Sequence, residues 1–412
     1  MPLVRPFAGL RPAAEYVLEV VAPPYDVLTR KEAINRSAGK PNSFLHISRP
    51  EIDMDENIDP CADSVYLKGL ENFSAMKKKG ILKQDKASCY YIYQLNMGNH
   101  VQRGLVAVAS VDDYNRHRIK KHEHTHPDKE DDRVKQIDTL NAQTGPVFLT
   151  YKHNSIIDAV VDKAIRQNPL VDITADDGVE HRLWMLEGEE LTDIITQTFD
   201  AMDCLYIADG HHRSAAASRV AQMRKEKNSR HTGQENYNYF LSVIFPDNHV
   251  QIFEYNRVIR DLNGLGREEF LQAVAKNFSL VKQDKAFKPA TSTEFGMYLK
   301  NQWYKLSIKP ALIPPDSVGR LNINLLSNNL IDPILGISDP RGDKRIDFVG
   351  GVRGLRELER RVDSSKIKVA FSLYATSLAE LMAVADADDV LPPKSTWFEP
   401  KLADGLVSHL LS

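Results

Sequence analysis

Apolar positions along this chain come in short runs whose period changes, and the changes sort it into alternating helices and strands. Val65, Tyr66, Leu70 and Phe73 recur near helical spacing, which predicts an amphipathic helix over residues 61–79. Residues 88–95 and 102–111 are strand-like, and the turn signal Asn96-Met97-Gly98-Asn99 between them predicts an antiparallel hairpin. Phe44-Leu45-His46-Ile47 reads as a buried strand after a short helix near Lys31. Charge then interrupts the pattern over residues 115–133, and a short strand follows at residues 146–151.

The middle of the chain reads helix, strand, turn, helix. Residues 191–199 are helical, 204–208 form a short apolar strand, Asp209-Gly210 turns the chain, and the alanine-rich residues 214–224 are helical. Strands are expected at 239–245 and 250–258, on either side of Pro246-Asp247-Asn248. The last third offers a helix at 268–276, a strand at 303–308, a helix at 355–362 and a buried strand at 369–373. Ser377 caps a helix over 378–385, and the prolines after Leu391 forbid regular helix there. The expected fold class is therefore α/β, of the mixed α+β kind. Three regions are expected, at residues 1–160, 161–265 and 266–412.

Composition narrows the partners. A hydrophobic fraction of 42% and a charged fraction of 26% are ordinary for a globular chain, and a net charge of -3 argues against a dedicated nucleic-acid binder. The 3 cysteines form no metal-finger spacing. No apolar run reaches the roughly 20 residues that cross a bilayer. The expectation is a cytoplasmic protein without a membrane partner, with a homo-oligomer left open.

Chemistry concentrates in Asp209-Gly210-His211-His212-Arg213, where a buried strand ends and a helix opens. Helix starts expose backbone N–H groups that attract anions, and Arg213 adds a fork suited to phosphate or carboxylate. Asp209 could hold a metal or accept a proton. The blander alternative is an Asp cap with exposed histidines. A second cluster runs through Lys121, His122, Glu123, His124, Thr125 and His126 to Asp132 and Arg133. Its alternate histidines would share one face of a strand and could bind zinc, whereas Lys121, His122 and Arg133 equally suit an anion. A solvated charged loop is the third alternative. Lys394-Ser395-Thr396 lacks the glycines of a P-loop, but a loop could still lay Lys394 beside a phosphate.

These motifs carry a resemblance. Arg5-Pro6-Phe7, Pro23-Pro24-Tyr25-Asp26-Val27, His122-Glu123 with Thr125, Asp132-Arg133, and Ile207 to Arg213 resemble the family catalogued as domain of unknown function 1015. So do Arg345-Ile346-Asp347-Phe348-Val349-Gly350-Gly351 and Pro392 to Phe398, which extends the resemblance over nearly the whole chain. The Asp-Gly-His-His-Arg string is also similar to the phosphate-binding signature of the ParB/sulfiredoxin superfamily, and in particular to its free serine kinases. No cysteine lies between residues 205 and 215, which departs from the sulfiredoxin pattern, and no helix-turn-helix of a partition protein is evident.

The resemblance implies a nucleotide-binding core over residues 161–265 and phosphoryl transfer to a small hydroxylated metabolite such as free serine. ATP or ADP would be the donor, with magnesium. Gly210, His211, His212 and Arg213 would hold the nucleotide phosphates, with His122, Thr125, Arg133 and Lys394 assisting. Asp209 would be the magnesium ligand or the base, and Glu123 the other candidate base. A non-catalytic nucleotide- or phosphate-binding regulator and a phosphohydrolase are the competing readings.

Overall fold

The computed structural model describes residues 1–340, 342–364 and 366–412 of the 412-residue chain. They form a mixed α/β protein of two compact units, residues 1–250 with 400–412, and residues 251–399. This division differs from the three regions expected. Helix Ser155–Ala164 runs across position 160, and strands on both sides of it pair in one sheet, so no boundary falls there.

The first unit is built on a nine-stranded sheet. In chain order its elements are β1 (Val4–Arg5), α1 (Asp63–Lys78), β2 (Tyr90–Met97), β3 (His100–Ser110), β4 (Ile119–Lys120), α2 (Pro127–Leu140) and β5 (Val147–Tyr151). They continue with α3 (Ser155–Ala164), β6 (Val171–Thr174), β7 (Glu180–Leu186), α4 (Glu189–Asp200), β8 (Leu205–Asp209), α5 (His211–Lys227) and β9 (Tyr239–Pro246). The strand order is β4-β8-β5-β9-β3-β2-β7-β6, with β1 pairing β3. β4 with β8 and β5 with β9 are parallel, and the remaining pairs are antiparallel.

The centre of the sheet explains its own sequence. β5 and β9 are buried at every position, so they read as continuous apolar runs rather than alternating ones. The β2–β3 hairpin forms as its turn predicts, with Met97 opposite His100 and Gly98 at φ 59°. α5 buries Ala215, Ala216, Ala217, Val220 and Ala221 in the same core as Ile207 and Phe240. Small side chains let its axis lie close to the sheet, which fixes where its first turn points. The C-terminal segment then returns to this unit. Asp404 bridges Ala22, Ser408 bridges Leu10, and His409–Leu410 pairs with Ala142–Gln143.

The second unit holds β10 (Tyr255–Ile259), α6 (Arg267–Asn277), β11 (Phe278–Gln283), β12 (Glu294–Leu299) and β13 (Gln302–Ile308). It continues with β14 (Ile346–Gly350), α7 (Leu355–Asp363), β15 (Val369–Ser372) and α8 (Leu378–Asp386). Its six strands are all antiparallel, in the order β11-β13-β12-β15-β10-β14. Ser377 caps α8 through a capping box with Glu380, as its sequence predicts.

Three local expectations are corrected. Leu45–Ser48 is a helical turn, not a strand, because a run of four apolar-rich residues carries no decisive period. The charged stretch 115–133 is not one break. It contains β4 and the first half of α2, whose buried Val134, Gln136, Ile137 and Leu140 form a stripe beneath a charged outer face. The strand expected over 250–258 divides at Glu254 into Gln251–Phe253 and β10, and the Glu254 carbonyl accepts from the Gly351 N–H. Among the described residues, no helix is long and apolar enough to cross a membrane.

Candidate functional site

β8 ends at Asp209, and Gly210 turns the chain into α5 at φ 100°, a left-handed conformation that favours glycine. No side chain caps the start of α5. The helix begins at His211, three residues earlier than its alanine-rich stretch predicts, so all three basic residues lie in its first turn. Uncapped N–H groups and the positive end of the helix dipole coincide there.

The second cluster is brought to the same place. The parallel pairing of Ile119 with Leu205 and of Lys120 with Tyr206 carries residues 121–126 across the start of α5. There the backbone N–H of His122 donates to His211 Nε2 at 3.4 Å, and that of His126 donates to His212 Nε2 at 3.1 Å. The His122 ring meets His211 edge-on at 4.4 Å, and the His126 ring stacks on His212 at 6.0 Å. A neutral histidine that accepts at Nε2 carries its proton on Nδ1. In His211 that Nδ1 lies 3.8 Å from a Glu123 oxygen. Thr125 is turned to Glu130, to which its hydroxyl donates.

Burial keeps His122, His211 and His212 neutral. It pushes His122 down to about 4 against a partial upward pull from Asp209, and holds His211 well below its ordinary value, with His122 adding to the effect. His212 falls to about 4, from burial first and Lys129 second. The sequence suggests three consecutive positive charges at the helix start, whereas the structure supplies one, Arg213. The histidine rings instead fasten the 121–126 segment to α5. They reach any bound anion as neutral groups.

Arg213 donates from Nη1 to the Pro146 carbonyl, and its Nη2 lies 3.5 Å from Asp209 Oδ1. Lys401, from the C-terminal segment, places Nζ 3.1 Å from Asp209 Oδ2. Burial works to raise the Asp209 carboxyl, but Lys401 and Arg213 outweigh it and hold the group well below the usual range. A carboxylate facing a cation at each oxygen is a weak proton acceptor. In this arrangement it does not fit a magnesium ligand either, since an added cation would meet two positive charges. Among the described residues, no group of three or more His, Cys, Asp or Glu side chains is placed to hold a metal. The zinc alternative for His122, His124 and His126 finds no support, because His122 and His126 face His211 and His212.

Behind Arg213 lies a cavity of about 30 Å³, lined in part by Tyr25, Ser48, Arg133, Gly145, Arg213 and Asp404. Arg133 is fixed by a paired contact to Asp132, at 2.9 and 2.6 Å, and its guanidinium covers the Tyr25 ring at 3.9 Å. Tyr66 in turn donates to Asp132 at 2.7 Å. Two buried oxygens on this wall, Ser48 Oγ and Asp404 Oδ1, have no hydrogen-bond partner.

Most residues singled out in the sequence therefore converge: Asp209, Gly210, His211, His212 and Arg213 with His122 and Glu123, and Arg133 across the cavity from Arg213. Lys394 belongs to the second unit. There its carbonyl accepts from Arg257, and its ammonium lies 5.6 Å from the Tyr255 ring centroid. Lys401, Asp404 and Ser48 were not anticipated. One sequence signal could have found Asp404, since Ala403-Asp404-Gly405 repeats the Ala208-Asp209-Gly210 triplet and both glycines have positive φ.

The family described as "Protein of unknown function (DUF1015)" matches residues 4–327. No curated protein matches the chain. Among solved structures, a free serine kinase in complex with AMP is 14% identical, covers 71% of this chain and 86% of its own, and has a TM-score of 0.34. A conserved hypothetical protein from Pyrococcus furiosus is 15% identical, covering 73% of this chain and 93% of its own, with a TM-score of 0.35. SbnI with a C-terminal truncation, from Staphylococcus aureus, is 10% identical, covering 73% and 85%, with a TM-score of 0.36. At these scores the likeness is remote.

Proposed function

We propose that this chain, which belongs to the DUF1015 family, binds the terminal phosphates of a nucleotide at the start of α5 and transfers one to a small hydroxylated metabolite. ATP or ADP is the donor in this reading, and free serine is the first acceptor to test. The observation that carries it is Arg213. Its guanidinium is oriented by the Pro146 carbonyl and Asp209, beside an uncapped helix start and a cavity with unpartnered polar oxygens. The likeness of Asp209–Arg213 to the ParB/sulfiredoxin phosphate-binding signature supports the same reading.

Phosphoryl transfer asks chiefly for positioning and for charge to offset the phosphates. Arg213 and the N–H groups of the first turn of α5 supply that charge. Asp209 acts as a positioning residue, aiming Arg213 and Lys401. The neutral His211 and His212 fix the 121–126 segment, and Glu123 lies beside the Nδ1 of His211. The cavity scale of about 30 Å³ corresponds to one or two water-sized groups, so a nucleoside lies outside it. No step is assigned to magnesium, because Asp209 as paired does not fit it.

The test is 31P NMR of ATP incubated with the protein, magnesium and L-serine. A new phosphomonoester resonance with stoichiometric ADP is expected. Inorganic phosphate alone, unaffected by serine, would instead favour a phosphohydrolase. ATP unchanged, and ADP likewise unchanged when it replaces ATP in the same mixture, would leave only a binding protein.

A further inference from the structure

The cavity beside Arg213 holds a group that phosphate binding leaves unused. Asp404 is 2% exposed, and its Oδ1 has no hydrogen-bond partner. A buried polar atom left unpaired costs about 1–3 kcal/mol, so native structures keep one chiefly where a water or ligand meets it. Ser48 Oγ, on the same wall, is also unpaired. The space admits the hydroxymethyl end of a small molecule and little more. Gly145 keeps it open, because a Cβ there would lie 3.4 Å from Asp404 Oδ1 and 3.5 Å from Arg213 Cδ. The bare backbone at Gly145 thus preserves a gap between the arginine and the carboxyl.

We propose that this cavity is the acceptor subsite and that Asp404 is the catalytic proton acceptor for the transferred-to hydroxyl. The inference rests on the function proposed above and assigns its base. The acceptor hydroxyl enters beside Arg213 and donates to Asp404 Oδ1, with a lone pair facing the phosphoryl group held at Arg213. The new O–P bond forms as the bond from the terminal phosphorus to its bridging oxygen breaks. The hydroxyl proton passes to Asp404, and the bridging oxygen leaves with its electron pair on the shortened nucleotide.

The surroundings of Asp404 suit that role better than those of the other carboxylates. Burial pushes it up to about 7, Arg213 on α5 and Arg133 on α2 pull it down, Asp26 pushes it up, and the Tyr25 N–H favours its ionised form. A base is most effective when its pKa lies near the working pH. Asp209 is held far too low by its two cations, and Glu123 faces His211.

Wild type, Asp404→Asn and Gly145→Ala are to be compared with ATP, with L-serine and with water as sole acceptor, beside ATP-induced thermal shifts. The Asn variant is expected to lose about 10²–10⁴-fold in transfer rate while keeping the ATP shift. The wild-type rise in rate through pH about 7 should vanish with it. Gly145→Ala, which alters no charge, is expected to cut transfer to serine by about tenfold or more with the ATP shift intact. It decides the matter should the Asn variant not fold. Transfer by either folded variant at the wild-type rate overturns the assignment of Asp404 and leaves the parent function standing. A wild type that turns over neither ATP nor, in the same assay, ADP with either acceptor, whether or not it binds them, overturns both.

Discussion

Between pH 7 and pH 4 the protein is expected to lose most of its stability, and the cause is histidine burial. His122, His181 and His409 are at most 4% exposed, and burial pushes each down to about 4 from the ordinary 6.5. Between those values the unfolded chain binds a proton at each site that the folded chain refuses. Stability therefore holds above pH 6.5 and is lost as pH falls toward 4. Each site contributes about 3 kcal/mol at most, and His211, held well below its ordinary value by burial, adds in the same direction.

Asp404 works the other way. Its folded value of about 7 exceeds the ordinary 3.8, so its burial becomes less costly as pH falls through the same window, by about 4 kcal/mol. Three histidines against one carboxyl leave a net loss of roughly 5 kcal/mol, comparable with the whole stability of many proteins. Chemical denaturation at pH 7.5, 6.5, 5.5 and 4.5 reads this directly. A midpoint that does not move from 7.5 to 4.5 would show that these histidines are solvated or paired in solution.

The second large effect is expected at Gly405, one residue beyond Asp404. Its φ is +81°, and a Cβ there would lie 2.7 Å from Cγ and Cδ2 of Phe44, a fully buried ring. Gly405→Ala incurs both left-handed strain and overpacking, together about 3 kcal/mol, or roughly 3–6 °C in Tm for a chain of this length. Gly39→Ala separates the two causes. Gly39 has φ +73° with nothing within 4 Å of the added carbon, so only strain remains, about 1 kcal/mol. Equal losses at the two positions would mean that the ring contact does not matter. Because Phe44 and Gly405 hold the C-terminal segment in place, the variant should also displace Asp404 and weaken every reading that depends on it.

That segment marks the limit of what the sequence makes legible. Local patterns sufficed for the β2–β3 hairpin, for α8 with its Ser377 cap, and for the strand-turn-helix at Asp209–Arg213, because each is decided by residues within one turn or one strand. α2 was hidden, since a helix whose outer face is almost wholly charged resembles a loop until its Val134, Ile137 and Leu140 stripe is read. The turn Leu45–Ser48 was misread because four residues do not distinguish two periods.

The site itself was half legible. Its charged motifs stand out, but whether His122 approaches Asp209 depends on the parallel pairing of β4 with β8, which no local pattern specifies. Lys401 reaches Asp209 across 192 positions of sequence, and such a pair becomes visible only when the chain has folded. The protonation of the histidines was also beyond the sequence. Residue type suggests charge at His211 and His212, and burial removes it.

The most direct test of the central claim is a thermal-shift panel of ATP, ADP, CTP and inorganic phosphate with magnesium, on wild type and Arg213→Lys. The Lys variant keeps a positive charge and loses the fork that grips phosphate. A ligand bound only by the folded state raises its melting temperature. The wild type is expected to rise by several degrees with an adenine nucleotide, and Arg213→Lys to lose most of that rise while melting alone as a folded protein. A wild type that no nucleotide or phosphate shifts, or an Arg213→Lys variant shifted as much as wild type, would contradict a phosphate site at the start of α5.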